Sequence, residues 1–341
     1  MRWPTGMPAR VSPRCASVVV TRWPSRWNAF PELSLLTSRP ARVLWHLFAF
    51  AAGWVLIQGV VESAAGPVFA WLSGVVGEPV PMYPYAMLAG VIGGSWVGFR
   101  AFELAPERGV PSRTLSERLG VDGAHWRLRP LLTGVLLGSA AIGLTAGVLW
   151  ATGLLRFETA TPLTDVMVGD SWGNVALRLL VVLAPAALWE ELAFRGFLYA
   201  VAEEAAGPLV ARWASSVAFG MGHVLNPGAS VQTTLIVMLA GWCLARLREQ
   251  AGVPAAWLAH LAWNWIMAAV LHVAVSGLPF ATPGYRAVLV GPDWLSGGSW
   301  GPEGGVIAAL VLGGGALLAR TRPEGAAHEL AEAKESHHLR S

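Results

Sequence analysis

Long apolar runs, separated by short polar connections, dominate this chain. Runs near 43–61, 83–102, 130–154, 175–201, 207–224, 230–247, 254–276 and 304–319 are each close to the length that crosses a membrane. A hydrocarbon core of about 30 Å needs roughly 20 helical residues. The pattern predicts an all-α, polytopic membrane protein with about eight transmembrane helices. Segment 64–77 is apolar but short, and reads as an interfacial or re-entrant piece. Gly90, Gly94 and Gly98 are spaced four apart, as are Gly134 and Gly138, and Gly143 and Gly147. Small residues at that spacing let helix backbones approach closely, which is a packing signal.

The membrane domain so delimited covers 41–319, between two polar tails. Residues 1–40 include Pro4, Pro8, Pro13, Pro24 and Pro31, and set six arginines against the single acid Glu32. That composition predicts a disordered basic cytoplasmic tail. No apolar core with a small-residue cleavage site occurs within the first 30 residues, so no signal peptide is expected. The tail 320–341 is polar and expected to fray. Loop 103–129 holds Arg108, Arg113, Arg118, Arg127 and Arg129, and Arg246, Arg248, Arg320 and Arg322 follow later spans. Segment 62–82 has Glu62 and Glu78 and no basic residue, while loop 155–173 sets Glu158, Asp165 and Asp170 against Arg156. The positive-inside rule then places both termini in the cytoplasm. Loop 277–303 is external by this count, and its Gly and Pro content predicts irregular structure.

Composition adds to this picture. Hydrophobic residues make up 54% and charged residues 13%, against about 25% charged in a soluble domain. The basic pI of about 9.2 follows from the topology of the loops and excludes a nucleic-acid reading. Lys334 is the only lysine. Together with the abundance of Ala, Gly and Trp, that bias points to a GC-rich bacterial source and hence to the plasma membrane. Cys15 and Cys243 lie in a tail and in an apolar helix, so no structural disulfide is expected.

Three polar clusters interrupt the apolar helices. In Leu188–Gly196, Glu190, Glu191 and Arg195 occur inside an apolar run. Each charge near a helix centre costs roughly 2.5–3.5 kcal/mol on insertion scales, so a chain that keeps three there uses them. Glu191 and Arg195 are four apart, share a helix face and can pair. Glu190 points about 100° away from Glu191 and is free to face a neighbouring helix. Phe219 and His223 share a face, with Gly220 and Gly222 leaving room beside the imidazole for a backbone or a substrate. His260 and Asn264 share a face in the same way. The set is one free carboxylate, two imidazoles and an amide from three helices. A carboxylate in an apolar site can deprotonate water, and an amide can donate to an oxyanion. Glu190, His223 and His260 can also hold a divalent metal, zinc above all, with an open position for water. Peptide-bond hydrolysis is the natural candidate for such a set in a membrane.

Each residue also has a bland reading. Glu191 with Arg195 can be a buried structural pair. A lone histidine on an apolar helix is usually a packing residue, and His46, His125 and His272 are read that way. Asn264 can be interhelical glue. Gly297-Gly298-Ser299-Trp300-Gly301 matches G-x-S-x-G without the strand that the motif requires. His328-Glu329-Leu330-Ala331-Glu332 lacks the second histidine of H-E-x-x-H.

The stretches Glu190-Glu191-x-x-x-Arg195, Phe219-x-x-x-His223 and His260-x-x-x-Asn264, in that order on successive apolar helices, resemble the CPBP intramembrane proteases. These are the CAAX-processing and bacteriocin-processing, or Abi, group, which includes the type II CAAX prenyl endopeptidases. The resemblance covers a core at about 175–270. It implies an endopeptidase acting on a peptide or protein at the membrane. It makes Glu190 the base for water, assisted by His223, with His260 and Asn264 stabilising the tetrahedral intermediate. In the metalloendopeptidase reading His223, His260 and Glu190 are metal ligands. Glu191 and Arg195 are supporting residues, so Glu191→Gln is expected to be milder than Glu190→Gln. Two other classes use the same groups. A transporter or proton-coupled carrier would show an internal repeat, and no convincing one relates the halves. A catalytically idle scaffold would simply keep the fold.

One geometric conflict stands within this reading. A plain eight-span arrangement places Glu190 and His260 toward the cytoplasmic half, and His223 near the external end of its span. For the three to meet, either 192–224 is not a plain hairpin or the boundaries lie a turn or two away.

Overall fold

The computed structural model describes residues 39–76, 79–103, 113–160, 171–280 and 284–318. The tails at 1–38 and 319–341 lie outside the described residues, as do Glu78, Arg108, Asp165 and Asp170. The chain divides into units 1–42 and 43–341, and the architecture belongs to the second. Most of it is helical, as the periodicity predicts. Helices α1 (Arg39–Val76), α2 (Tyr83–Glu103), α3 (Leu115–Leu119) and α4 (Leu128–Ala151) precede a strand β1 (Leu155–Ala160). Then come α5 (Trp172–Glu191), α6 (Tyr199–Ala206), α7 (Pro208–Gly222), α8 (Val231–Trp265), β2 (Gly284–Leu289), α9 (Asp293–Ser296) and α10 (Val306–Leu318).

Three stretches, Pro40–Val75, Leu128–Ala151 and Val231–Leu271, are long and apolar enough to cross a membrane. The outer faces are apolar and exposed, for instance Leu44, Phe48, Val55 and Leu56 on α1 and Leu132 and Leu136 on α4. Polar side chains such as Ser95, Thr145, Glu191, Arg195, Ser215 and Ser216 are buried instead. This distribution suits a lipid surround, in which apolar side chains need no burial and polar ones need partners. Of segment 64–77, the described residues 64–76 are not a separate piece. They continue α1 through Pro67, because a membrane helix tolerates the one lost backbone bond of a proline.

Two hairpins set the core. The α5 helix, a π-helical stretch Leu192–Leu198 and α6 form one continuous rod. Gly207, at φ 85° and ψ 172°, ends the rod, and Pro208 opens α7. A left-handed φ favours glycine, and proline suits the first helical turn. The second hairpin lies inside α8. Gly252, at φ 82° and ψ 171°, breaks it into two arms. Leu244, Leu247 and Ala251 on the first arm pack with Ala255 and Ala259 on the second.

The second arm of α8 is seated on α4. A Cβ at Gly134 would collide with the Ala255 carbonyl, and one at Gly138 with the Ala259 carbonyl. The stripe at Gly90, Gly94 and Gly98 has the same function against α1, where Phe50 and Trp54 meet it. Among the described residues Gly143 and Gly147 meet nothing within 4 Å, so their spacing signals no contact there. Gly138→Leu is therefore expected to cost about 1–3 kcal/mol through overpacking. Gly143→Leu should change stability by no more than about 0.5 kcal/mol. Thermal melting of the two variants in detergent checks both.

The loops depart from the expected irregularity. Strands β1 and β2 pair antiparallel, with Leu155 opposite Leu289 and Glu158 opposite Arg286. Segment 277–303 also carries α9 and two 3-10 turns, at Gly298–Trp300 and Pro302–Gly304. Trp300 is buried at 2% exposure. The Gly297–Gly301 stretch is thus a packed structural turn.

Candidate active site

Glu190 and Glu191 sit on the last turn of α5, where the rod widens into the π-helical stretch. Wide turns of this kind are frequent at functional sites. From Glu190 to Gly207 the rod runs about 25 Å, and α7 covers about 24 Å back to His223, at 1.5 Å per residue. The two arms are equal, so Glu190 and His223 come level. This removes the conflict of depth: 192–224 is a hairpin, and the rod extends to Ala206 instead of stopping at 201. Contacts nest symmetrically about Gly207, with Phe194 against Phe219 at 5.4 Å between ring centroids and Tyr199 against Ala211.

The buried half of the site is a charge cluster. Glu191 and Arg195 are both fully buried, and Arg195 Nη1 donates to Glu191 Oε1 at 2.9 Å. The same oxygen meets His260 Nδ1 at 2.9 Å. An ionised carboxylate only accepts, so His260 Nδ1 carries the proton and donates. The Arg195 guanidinium lies 4.0 Å from the centroid of the Phe219 ring, a cation–π contact in an apolar place. The Phe219 ring also meets the imidazoles of His223, at 4.7 Å, and His260, at 5.8 Å. One aromatic ring therefore spaces the arginine from both histidines.

The open half follows from the tautomers. His223 caps the C-terminal end of α7. Its Nδ1 lies 2.8 Å from the Phe219 carbonyl oxygen, which can only accept, so this nitrogen is the donor. When neutral, both histidines then present an Nε2 lone pair. Each Nε2 stands 4.0 Å from Glu190 Oε2. That oxygen is buried and has no hydrogen-bond partner among the described residues. Three acceptor atoms thus face one small gap. Gly220 lets α7 press on α8 near Thr234 and Met238, and Gly222 meets only Phe194.

Two groups fit such a gap by chemistry, a water and a divalent cation. Imidazole Nε2 with Nδ1 tied to a carboxylate is a common way to present a metal ligand. The spacing is less suited. Ligand atoms about a tetrahedral zinc with bonds of about 2.1 Å stand about 3.4 Å apart, less than the 4.0 Å found here. Among the described residues no group of three or more His, Cys, Asp or Glu side chains is arranged to hold a metal ion.

A cavity of about 240 Å³ adjoins the gap. His223, His260 and Asn264 line it, and apolar residues of α4, α8 and α10 extend it. Ser276 and Glu303 line it too, and neither was singled out by the sequence. Glu303 was hidden in the stretch expected to be an irregular loop, and only its carboxylate among many glycines could have marked it. His46 and His272 bond backbone carbonyls of Gly98, and of Tyr285 and Ala269, away from the site. His125 pairs with Asp122.

No curated protein and no solved structure matches the chain. A family model does match, over residues 172–266, and it is described as Type II CAAX prenyl endopeptidase Rce1-like. Glu190, Glu191, Arg195, His223, His260 and Asn264 all lie within that stretch. Over residues 172–266 the chain is therefore similar to that family, in line with the CPBP resemblance of the three motifs.

Proposed function

We propose that this protein is an intramembrane endopeptidase in which Glu190 activates the attacking water. The observation that carries the reading is the buried Glu190 Oε2, unpartnered and 4.0 Å from Nε2 of both His223 and His260. A water in the gap donates one hydrogen to Glu190 Oε2 and the other to His223 Nε2. Its lone pair is left aimed at a carbonyl carbon. Glu190 takes the proton as the C–O bond forms. The oxyanion is met by the Asn264 amide and by His260 in its protonated form, whose Nε2 then donates instead of accepting and whose charge is balanced by Glu191. Glu190 then passes its proton to the amide nitrogen, the C–N bond breaks, the proton left on the new carboxyl passes to His223 Nε2, and a carboxylate and an amine leave. The substrate is a peptide or protein that reaches this depth from the cytoplasmic side. The setting is a bacterial plasma-membrane domain of eight spans with both termini in the cytoplasm.

A metal-dependent version uses the same residues, with His223, His260 and Glu190 holding zinc; the lone pairs that face the gap favour it. In that version the ion would supply Lewis acidity. Purified protein in detergent, given a broad quenched-peptide library, separates the cases. Cleavage lost in Glu190→Gln but retained with a strong chelator supports the metal-free route. Cleavage lost in both supports the metalloprotease. Cleavage by neither wild type nor variant, with flux in proteoliposomes, would replace the protease by a carrier.

A further inference from the structure

The Glu303 carboxylate lies outside the matched stretch 172–266, yet lines the same cavity as His223, His260 and Asn264. Its Oε2 accepts from Trp263 Nε1 at 2.8 Å. Its Oε1 accepts from the Ser276 backbone N–H at 2.6 Å and the Ser276 hydroxyl at 2.7 Å. Trp263 is the residue before Asn264. Ser276 holds a left-handed φ of 48°, which costs a non-glycine residue of order 1 kcal/mol or more. The Ser276 carbonyl in turn accepts from Asn226 Nδ2 at 2.9 Å. Asn226 closes the turn that begins at His223, through its N–H to the His223 carbonyl at 3.1 Å.

These bonds form one path. It runs from the turn of His223 through Asn226, Ser276 and Glu303 to Trp263, on the arm that carries His260 and Asn264. We infer that Glu303 is a positioning residue for the proposed hydrolysis. It clamps the Ser276 turn to Trp263, and so holds the His223 turn in register with His260 and Asn264. All three of its donors are hydrogens fixed by the protein, so it has no remaining need of a substrate partner. A charged acceptor suits the place, because three donors converge on two oxygens and a neutral amide would turn its own N–H bonds toward one of them. The inference rests on the protease reading for its kinetic consequence and on geometry alone for the clamp.

The test uses the full chain in detergent, with three variants. E303Q is expected to lower kcat about 10–100-fold, as loss of an outer-shell orienting partner does at comparable sites, with KM changed less than threefold. E303D, which keeps the charge, should recover part of the loss. W263F keeps the ring but removes one donor, and should lower kcat severalfold. E303Q with W263F should lose no more than E303Q alone, since both act through one contact. The ¹⁵N–¹H resonance of the Trp263 indole, identified by its absence in W263F, should shift in E303Q. Wild-type kcat in a folded E303Q, or strict additivity with W263F, would overturn the clamp. If E303Q fails to fold, wild-type kcat in W263F would overturn it equally. If wild type cleaves nothing, the protease reading fails, and an unshifted indole resonance in E303Q is then the result that sinks the clamp.

Discussion

Glu190→Gln is expected to lower kcat by about 10²–10⁴-fold, the span for loss of a general base, with little change in KM. The side chain keeps its size, so packing is preserved and only the proton acceptor is lost. The amide would turn an N–H toward one imidazole Nε2, 4.0 Å away in the native site, and the water would lose the acceptor that aims it. Glu191→Gln should fall less, by about tenfold. The amide oxygen of that variant can still accept from Arg195, but His260 loses its charged partner on Nδ1. Rates of wild type and both variants on one cleaved peptide check the order. A Glu190→Gln enzyme with full activity would assign the base elsewhere.

Arg195→Met is expected to destabilise the protein by about 3–5 kcal/mol, because it strands a buried carboxylate. Glu191 is fully buried, and among the described residues its Oε1 has Arg195 and His260 as partners. The melting temperature in detergent should drop on the order of 10 °C, at about 2–4 °C per kcal/mol for a domain of this size. A double change of Glu191→Leu with Arg195→Met removes both charges. It should regain most of the stability, since a buried pair gains little over packed apolar side chains. It should not regain activity, because His260 Nδ1 has then lost its acceptor. Recovery of both would reduce the pair to packing. An unchanged melting temperature in Arg195→Met would mean that the carboxylate is protonated or reached by water.

The hairpin about Gly207 shows how much of the site was legible. The Gly207-Pro208 step marks a turn on its face, and once the rod reaches Ala206 the levels of Glu190 and His223 follow by counting at 1.5 Å per residue. A boundary five residues short was enough to set them apart. The pairing of Glu191 with Arg195 was readable because both stand on one helix, four residues apart. The bond from Glu191 to His260 was not, since 69 residues separate them. Gly134 and Gly138 announced a close contact but not its partner, and the identical spacing of Gly143 and Gly147 announced one that is absent among the described residues.

The chain by itself determined that this protein is mostly helical and suited to a membrane, because apolar length is a local property. It also marked which polar residues are expensive at depth, and the three motifs carried the resemblance to a family. Tertiary structure decided the rest. Strand β1 meets β2 across more than a hundred residues, so no local turn signal could show the sheet. Glu303 reaches Trp263 from 40 residues away, and its role exists only where two distant turns and a helix meet. The direction in which each imidazole presents its lone pair was fixed last, by which oxygen happens to face Nδ1, and hydrogen bonds of that kind are made by the fold.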